Sequence, residues 1–137
     1  METIHLIHEN EASPDVRSVY EDIKRHFDLD FVPSIFKALA NNPPVLAQQW
    51  EGFKQAESMW GKETLYLISL GIDVTNGCNY CINFDTSMLK QMGYDDAKIE
   101  SLISFISGNN FYNIYAEGLQ LEPDVTPAVV ERQMAMR

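Results

Sequence analysis

The chain has little cysteine, little positive charge and no long apolar run. Cysteine occurs only at Cys78 and Cys81 among 137 residues, which excludes a disulfide-stapled scaffold. Ten Lys and Arg residues stand against 20 Asp and Glu, a formal charge of −10. A field of that sign repels phosphate, so neither nucleic acid nor an anionic membrane is an expected partner. The opening stretch METIHLIHENEASPD lacks a basic region and a sustained apolar run, so no secretory signal is expected. The most apolar stretch, from Thr64 to Val74, is too short to span a bilayer. Internal repeats, low-complexity segments and linkers are also missing. The expectation is a soluble, cytoplasmic protein forming one domain over residues 1–137, long enough to bury its own core.

What is present reads as helix. Ser13, Pro14 and Asp15 supply an N-cap, a first-turn proline and a first-turn acid. Val16, Val19, Tyr20, Ile23 and Phe27 then recur at helical spacing. Pro33 suits a second start, with Ile35, Phe36 and Leu39 as its apolar face, and Asn41 through Pro44 end it. A long helix follows from Pro44 to Trp60, with Leu46, Trp50 and Phe53 along one stripe and Gly61 as the break. Thr64 to Val74 fits either a strand or a buried helix by pattern. No second convincing strand exists to pair with it, so helix is expected. Further helices are predicted from Cys78 to Met92, from Asp95 or Asp96 to Gly108, over a short stretch bearing Phe111, Tyr112 and Tyr115, and after the Thr126 cap to the C-terminus. The expected class is all-α, a bundle of about seven or eight helices.

The two cysteines stand at i and i+3 after an Asn-Gly turn, at a predicted helix start. That places both sulfurs on one side of the helix, one turn apart. A helix N-terminus offers partial positive charge and free N–H groups, and both favour thiolate. The thiolate is the form that attacks a peroxide or a disulfide, so the arrangement suits a cycle in which one sulfur attacks and the other resolves. The bland alternative is two small buried hydrophobes. In a reducing cytosol a CxxC reads as catalytic or metal-binding before it reads as structural. A thioredoxin-like use requires a βαβ setting that is missing, and a c-type haem site requires His where Ile82 stands. Zinc would need two more ligands; His5 and His8 form the only other paired candidates, near a terminus, and no metal or cofactor is expected. His26 falls at the polar edge of the first helix and is expected to be solvated.

The segment LYLISLGIDVTNGCNYCINFDTSMLKQMGYDD resembles the carboxymuconolactone decarboxylase and alkylhydroperoxidase D-like superfamily. The shared pattern is a buried helix, an Asn-Gly turn, Cys-x-Tyr-Cys and a helix ending in Gly. The upstream lead-in, with its Val-Pro turn and its Asn-Pro opening a long helix, agrees in order, and the resemblance covers roughly residues 16 to 107. It implies an AhpD-like helical fold and a disulfide reductase or peroxidase whose paired cysteines reduce a hydroperoxide or recycle a partner peroxiredoxin. The family's dithiol lands on Cys78 and Cys81. Its relay histidine lands on Asp85, and its relay glutamate, twelve residues before the first cysteine, lands on Tyr66. Glu63, one turn earlier, and Tyr80, between the cysteines, are further candidates for a hydrogen-bonding or relay role. An ionised Asp85 would raise the pKa of Cys81, whereas a protonated Asp85 would be a proton donor; an ordinary exposed helix residue is the plain alternative.

The resemblance supports three readings. The first is a thiol-dependent oxidoreductase acting on a hydroperoxide or disulfide, recharged by a peroxiredoxin or thiol reductant. The second is a non-catalytic or redox-sensing member with a decayed relay, marked by thiol pKa values near or above the free value of about 8.5. The third is a lactone-acid decarboxylase, although members of that branch work without the paired cysteines. The resemblance also implies a homo-oligomer, a trimer or hexamer; Trp50, Trp60, Phe111, Tyr112 and Tyr115 would suit an apolar interface, and core packing explains them equally well.

Overall fold

The computed structural model describes residues 1–137. Seven α-helices follow a single 3-10 turn at Glu9–Glu11, and there is no strand. The helices are α1 (Pro14–Phe27), α2 (Ser34–Leu39), α3 (Pro43–Trp60), α4 (Lys62–Asn76), α5 (Asn79–Gln91), α6 (Asp96–Gly118) and α7 (Pro127–Ala135). The all-α class and the helix count agree with expectation. The chain divides into two compact units, Met1–Leu65 and Tyr66–Arg137, with the division falling inside α4.

In the first unit α1 and α2 pack on α3. Ser13 caps α1 as expected, its side chain accepting from the Val16 N–H. The buried face of α1 is Val16, Tyr20, Ile23 and Phe27, and that of α3 is Leu46 and Trp50. Of the two alternatives for Trp50, core packing is the one observed. Its indole N–H donates to Asp22 at 2.7 Å, and Lys54 reaches the same carboxylate at 2.9 Å. Lys54 first, then Trp50, hold the Asp22 carboxyl well below the usual carboxylate range. His26 is not solvated as expected. It is half-buried, 2.9 Å from Glu57, and stands edge-on to Trp50 and Phe27. The reason is positional: the polar edge of α1 faces α3 where Glu57 lies. Ile35, expected on the apolar face of α2, is 46% exposed.

In the second unit the ambiguous apolar stretch is helix α4, with Tyr66 and Leu70 buried. Met88 and Leu89 of α5, Tyr94 in the turn that follows and Ile106 of α6 complete this core. One boundary differs from expectation: the helices predicted on either side of Gly108 are one helix, α6. Gly108 is helical in conformation, and a glycine inside a helix costs only about 1 kcal/mol relative to Ala. The neighbouring turns are tied by Ser107 Oγ donating to the Ile103 carbonyl and by Asn110 donating to Thr75 Oγ1 of α4 at 2.9 Å. A local break signal without a positive φ does not end a helix that has such ties.

Candidate functional site: a dithiol between two helix caps

The site is built by one turn that ends α4 and starts α5. Gly77 adopts φ +71°, a left-handed conformation that glycine reaches without strain. Its N–H donates to the Val74 carbonyl at 3.2 Å, and the next N–H, that of Cys78, donates to the Asp73 carbonyl at 3.0 Å. This is the Schellman pattern that satisfies the last carbonyls of a helix. Cys78 is at the same time the N-cap of α5, where its sulfur accepts the Cys81 N–H at 3.4 Å. One residue thus closes one helix and opens the next, and its sulfur lies at the positive end of α5.

Cys81 lies in the first turn of α5. Both thiols are free and half-buried, with their Sγ atoms 2.6 Å apart. Burial and charge act strongly on Cys81. Its hydrogen bond to Cys78, then desolvation, then the charges of Asp73, Cys78 and Asp85 push its pKa up to about 12. The largest cause is the partner sulfur. In physical terms the Cys81 proton is held between the two sulfurs, with the Cys81 S–H donating to the Cys78 sulfur.

Asp85, one turn beyond Cys81, is 5% exposed, which excludes the plain reading of a solvated helix residue. Its side chain bonds that of Asp73, and its Oδ2 is buried with no donor in reach. Desolvation first, and then Asp73, push the Asp85 carboxyl up to about 8. Of the two opposed expectations for Asp85, the protonated form is the one this environment favours at neutral pH.

The other candidates occupy different positions on α4, on α5 and near the N-terminus. Tyr66 is fully buried on α4, its ring 6.4 Å from that of Phe84 on α5. Tyr80 is 43% exposed in the first turn of α5. Glu63 is exposed in the first turn of α4, nearly three turns before Asp73. His5 is engaged by Glu11 at 2.6 Å, and nowhere do three or more His, Cys, Asp or Glu side chains gather as a metal site would need. The residue that sequence reasoning missed is Asp73. It is an isolated acid on an apolar helix, and the signal for it was its place five residues before Cys78, where the cap of an Asn-Gly turn bonds back. It is also seven residues after Tyr66, hence on the same helix face two turns nearer the cysteines.

With this geometry in place, comparison with known proteins defines the class. The family model described as "Carboxymuconolactone decarboxylase family" matches residues 44–112, just over half of the chain. The chain belongs to that family. Its structure is similar to the crystal structure of the alkylhydroperoxidase AhpD core from Rhodospirillum rubrum, with a TM-score of 0.79 and 26% sequence identity. The likeness covers 90% of this chain and 95% of that one. No curated protein matches the sequence.

Proposed function

We propose that the protein is a thiol-dependent oxidoreductase that reduces a hydroperoxide, or a disulfide, through Cys78 and Cys81. The observation that carries this reading is the position of Cys78: an N-cap sulfur at a helix N-terminus, with a second thiol one turn away. Cys78 thiolate attacks the distal oxygen of the hydroperoxide and the O–O bond breaks. The leaving alkoxide takes the proton of Cys81, giving an alcohol, a Cys78 sulfenic acid and a Cys81 thiolate. Cys81 then attacks the Cys78 sulfur and expels hydroxide, which leaves as water once protonated. An external dithiol or a peroxiredoxin-type partner returns two electrons and reopens the disulfide. The likeness to an alkylhydroperoxidase core supports hydroperoxide as the substrate class.

The test is hydroperoxide consumption in the presence of a dithiol reductant. Wild type turns over, Cys78→Ser loses activity by at least about 100-fold, and Cys81→Ser stops after forming sulfenate. Equal rates in all three proteins refute the assignment.

One observation favours the second reading, a redox sensor with little turnover: Cys81 is pushed well above the free-thiol value. The first cause is Cys78 itself, so a proton held on Cys81 is what a Cys78 thiolate requires. Titration of Cys78 by alkylation separates the two readings. A midpoint below about 8.5 supports the enzyme, and one above it supports the sensor.

We further propose a homo-oligomer, assembled through the second unit. Phe105, Phe111, Tyr112, Ile114 and Tyr115 on α6 are each more than half exposed. Beside them a groove of about 640 Å³ between α4 and α6 is lined by Ile68, Ile72 and Phe105. An apolar surface this extensive is unusual on a soluble monomer. Cytoplasmic residence is part of the same proposal, since a free dithiol persists in a reducing compartment; no helix is long and apolar enough to cross a membrane.

A further inference from the structure

We propose that Asp73 and Asp85 share one proton and form the proton reservoir of the dithiol, delivering that proton when Cys81 closes the disulfide onto Cys78. The inference rests on the redox reading above and assigns a positioning role to Asp73.

The first argument is hydrogen-bond inventory. Ionised carboxylates only accept, so two of them in hydrogen-bond contact repel unless a proton lies between them. Asp73 and Asp85 are in such contact, and Asp85 is buried with an oxygen that no donor of the protein reaches. A shared proton accounts for both observations. An orphan buried acceptor next to a second carboxyl is otherwise costly.

The second argument is placement. The Asp73 carbonyl holds the Cys78 N–H, so Asp73 lies in the turn that positions the first sulfur. Asp85 lies one helical turn after Cys81, on the same side of α5. Asp73 from α4 bears on Asp85, and Cys78, Asp73 and Asp85 bear on Cys81. All are acids, and no basic side chain acts on either Cys81 or Asp85.

The third argument is chemical balance. After the first step the site holds a Cys78 sulfenic acid and a Cys81 thiolate. Formation of the S–S bond breaks the S–O bond and releases hydroxide into a half-buried site. The Asp85 O–H supplies the proton, water leaves, and the carboxyl pair is left with two negative charges. Reduction of the disulfide by an external dithiol restores the proton. Burial that keeps the pair protonated up to about pH 8 keeps the reservoir filled at neutrality.

The experiment measures how the sulfenic acid partitions between closure and capture. Reduced protein is treated with excess hydrogen peroxide and a fixed concentration of a cyclic-diketone sulfenate trap, and adduct and disulfide are quantified by mass. This ratio is independent of how fast the sulfenate forms. A slow first step therefore counts against the proposed function, while the ratio tests the carboxyl pair. Wild type is expected to give mostly disulfide below pH 8, with adduct rising above it. Asp85→Asn is expected to raise the adduct-to-disulfide ratio at pH 7 at least about 10-fold and to abolish the rise. Asp73→Asn is expected to move the rise to lower pH, because the contact that holds the proton on Asp85 is gone. Wild-type ratios and pH dependence in both variants would overturn the proposal. So would infrared spectra of the unmodified protein at pH 7 showing no protonated carboxyl band.

Discussion

At the scale of single residues, the site is governed by where protons reside. Cys81 is kept protonated by Cys78, by burial and by nearby acids. Its raised pKa is therefore a property of the pair and falls when Cys78 is oxidised, because the hydrogen bond to the Cys78 sulfur is lost. Asp85 carries the opposite linkage to most acids. Its folded pKa lies above its unfolded value, so between about pH 4 and pH 8 the native state binds the additional proton and stability falls as pH rises. Asp85→Asn removes that dependence. The variant is expected to melt above wild type at pH 8 and to converge on it near pH 4, read as Tm by calorimetry at the two pH values. Asp22 works in the ordinary sense. Its pKa is depressed by Lys54 and Trp50, so its contribution is present above about pH 4 and is lost as pH falls through the depressed value. Asp22→Asn is expected to flatten the acid limb of the stability curve and to lower Tm at pH 7.

At the scale of elements, caps decided most boundaries. Ser13 and Thr126 begin α1 and α7 by accepting the N–H groups of Val16 and Val129, and Asp95 does the same for α6. Such signals are local and were legible in the sequence. So was the dithiol, because CxxC after Asn-Gly is a contiguous pattern. The Asp73–Asp85 pair was not. Its members lie twelve residues apart across a helix turn, and only the fold brings them together. Asp85 stood out in the sequence as the residue in the place of the family's relay histidine, but whether it was solvated or buried depended on how α5 packs. The break expected at Gly108 failed for a related reason: a glycine marks a turn only where φ becomes positive. Gly77 meets that condition and Gly108 does not. A Cβ at Gly108 meets nothing within 4 Å. Gly108→Ala is expected to stabilise the protein by about 0.5–1 kcal/mol, whereas Gly77→Ala, at φ +71°, is expected to destabilise it by a similar amount or more. Urea unfolding midpoints compare the two.

At the scale of the whole molecule, the apolar residues are unevenly spent. The first unit buries an aromatic cluster of Phe27, Trp50 and Phe53, while the second leaves Phe105, Ile114 and Tyr115 exposed. If that face joins copies of the chain, Phe105→Glu or Ile114→Glu lowers the mass seen by light scattering, and wild type runs as a multimer. A monomeric wild type contradicts the assembly but leaves the redox chemistry standing. The family is shown by the matched segment and the fold, whereas the proposed activity depends on two sulfurs. The most direct measurement of it is therefore a stoichiometric one. One equivalent of an alkyl hydroperoxide is added anaerobically to fully reduced protein, and free thiols are counted after quenching. The account predicts that both thiols disappear together with one equivalent of alcohol formed, and that a dithiol reductant restores both. Two thiols still free after the peroxide has been left in contact with the protein would contradict it.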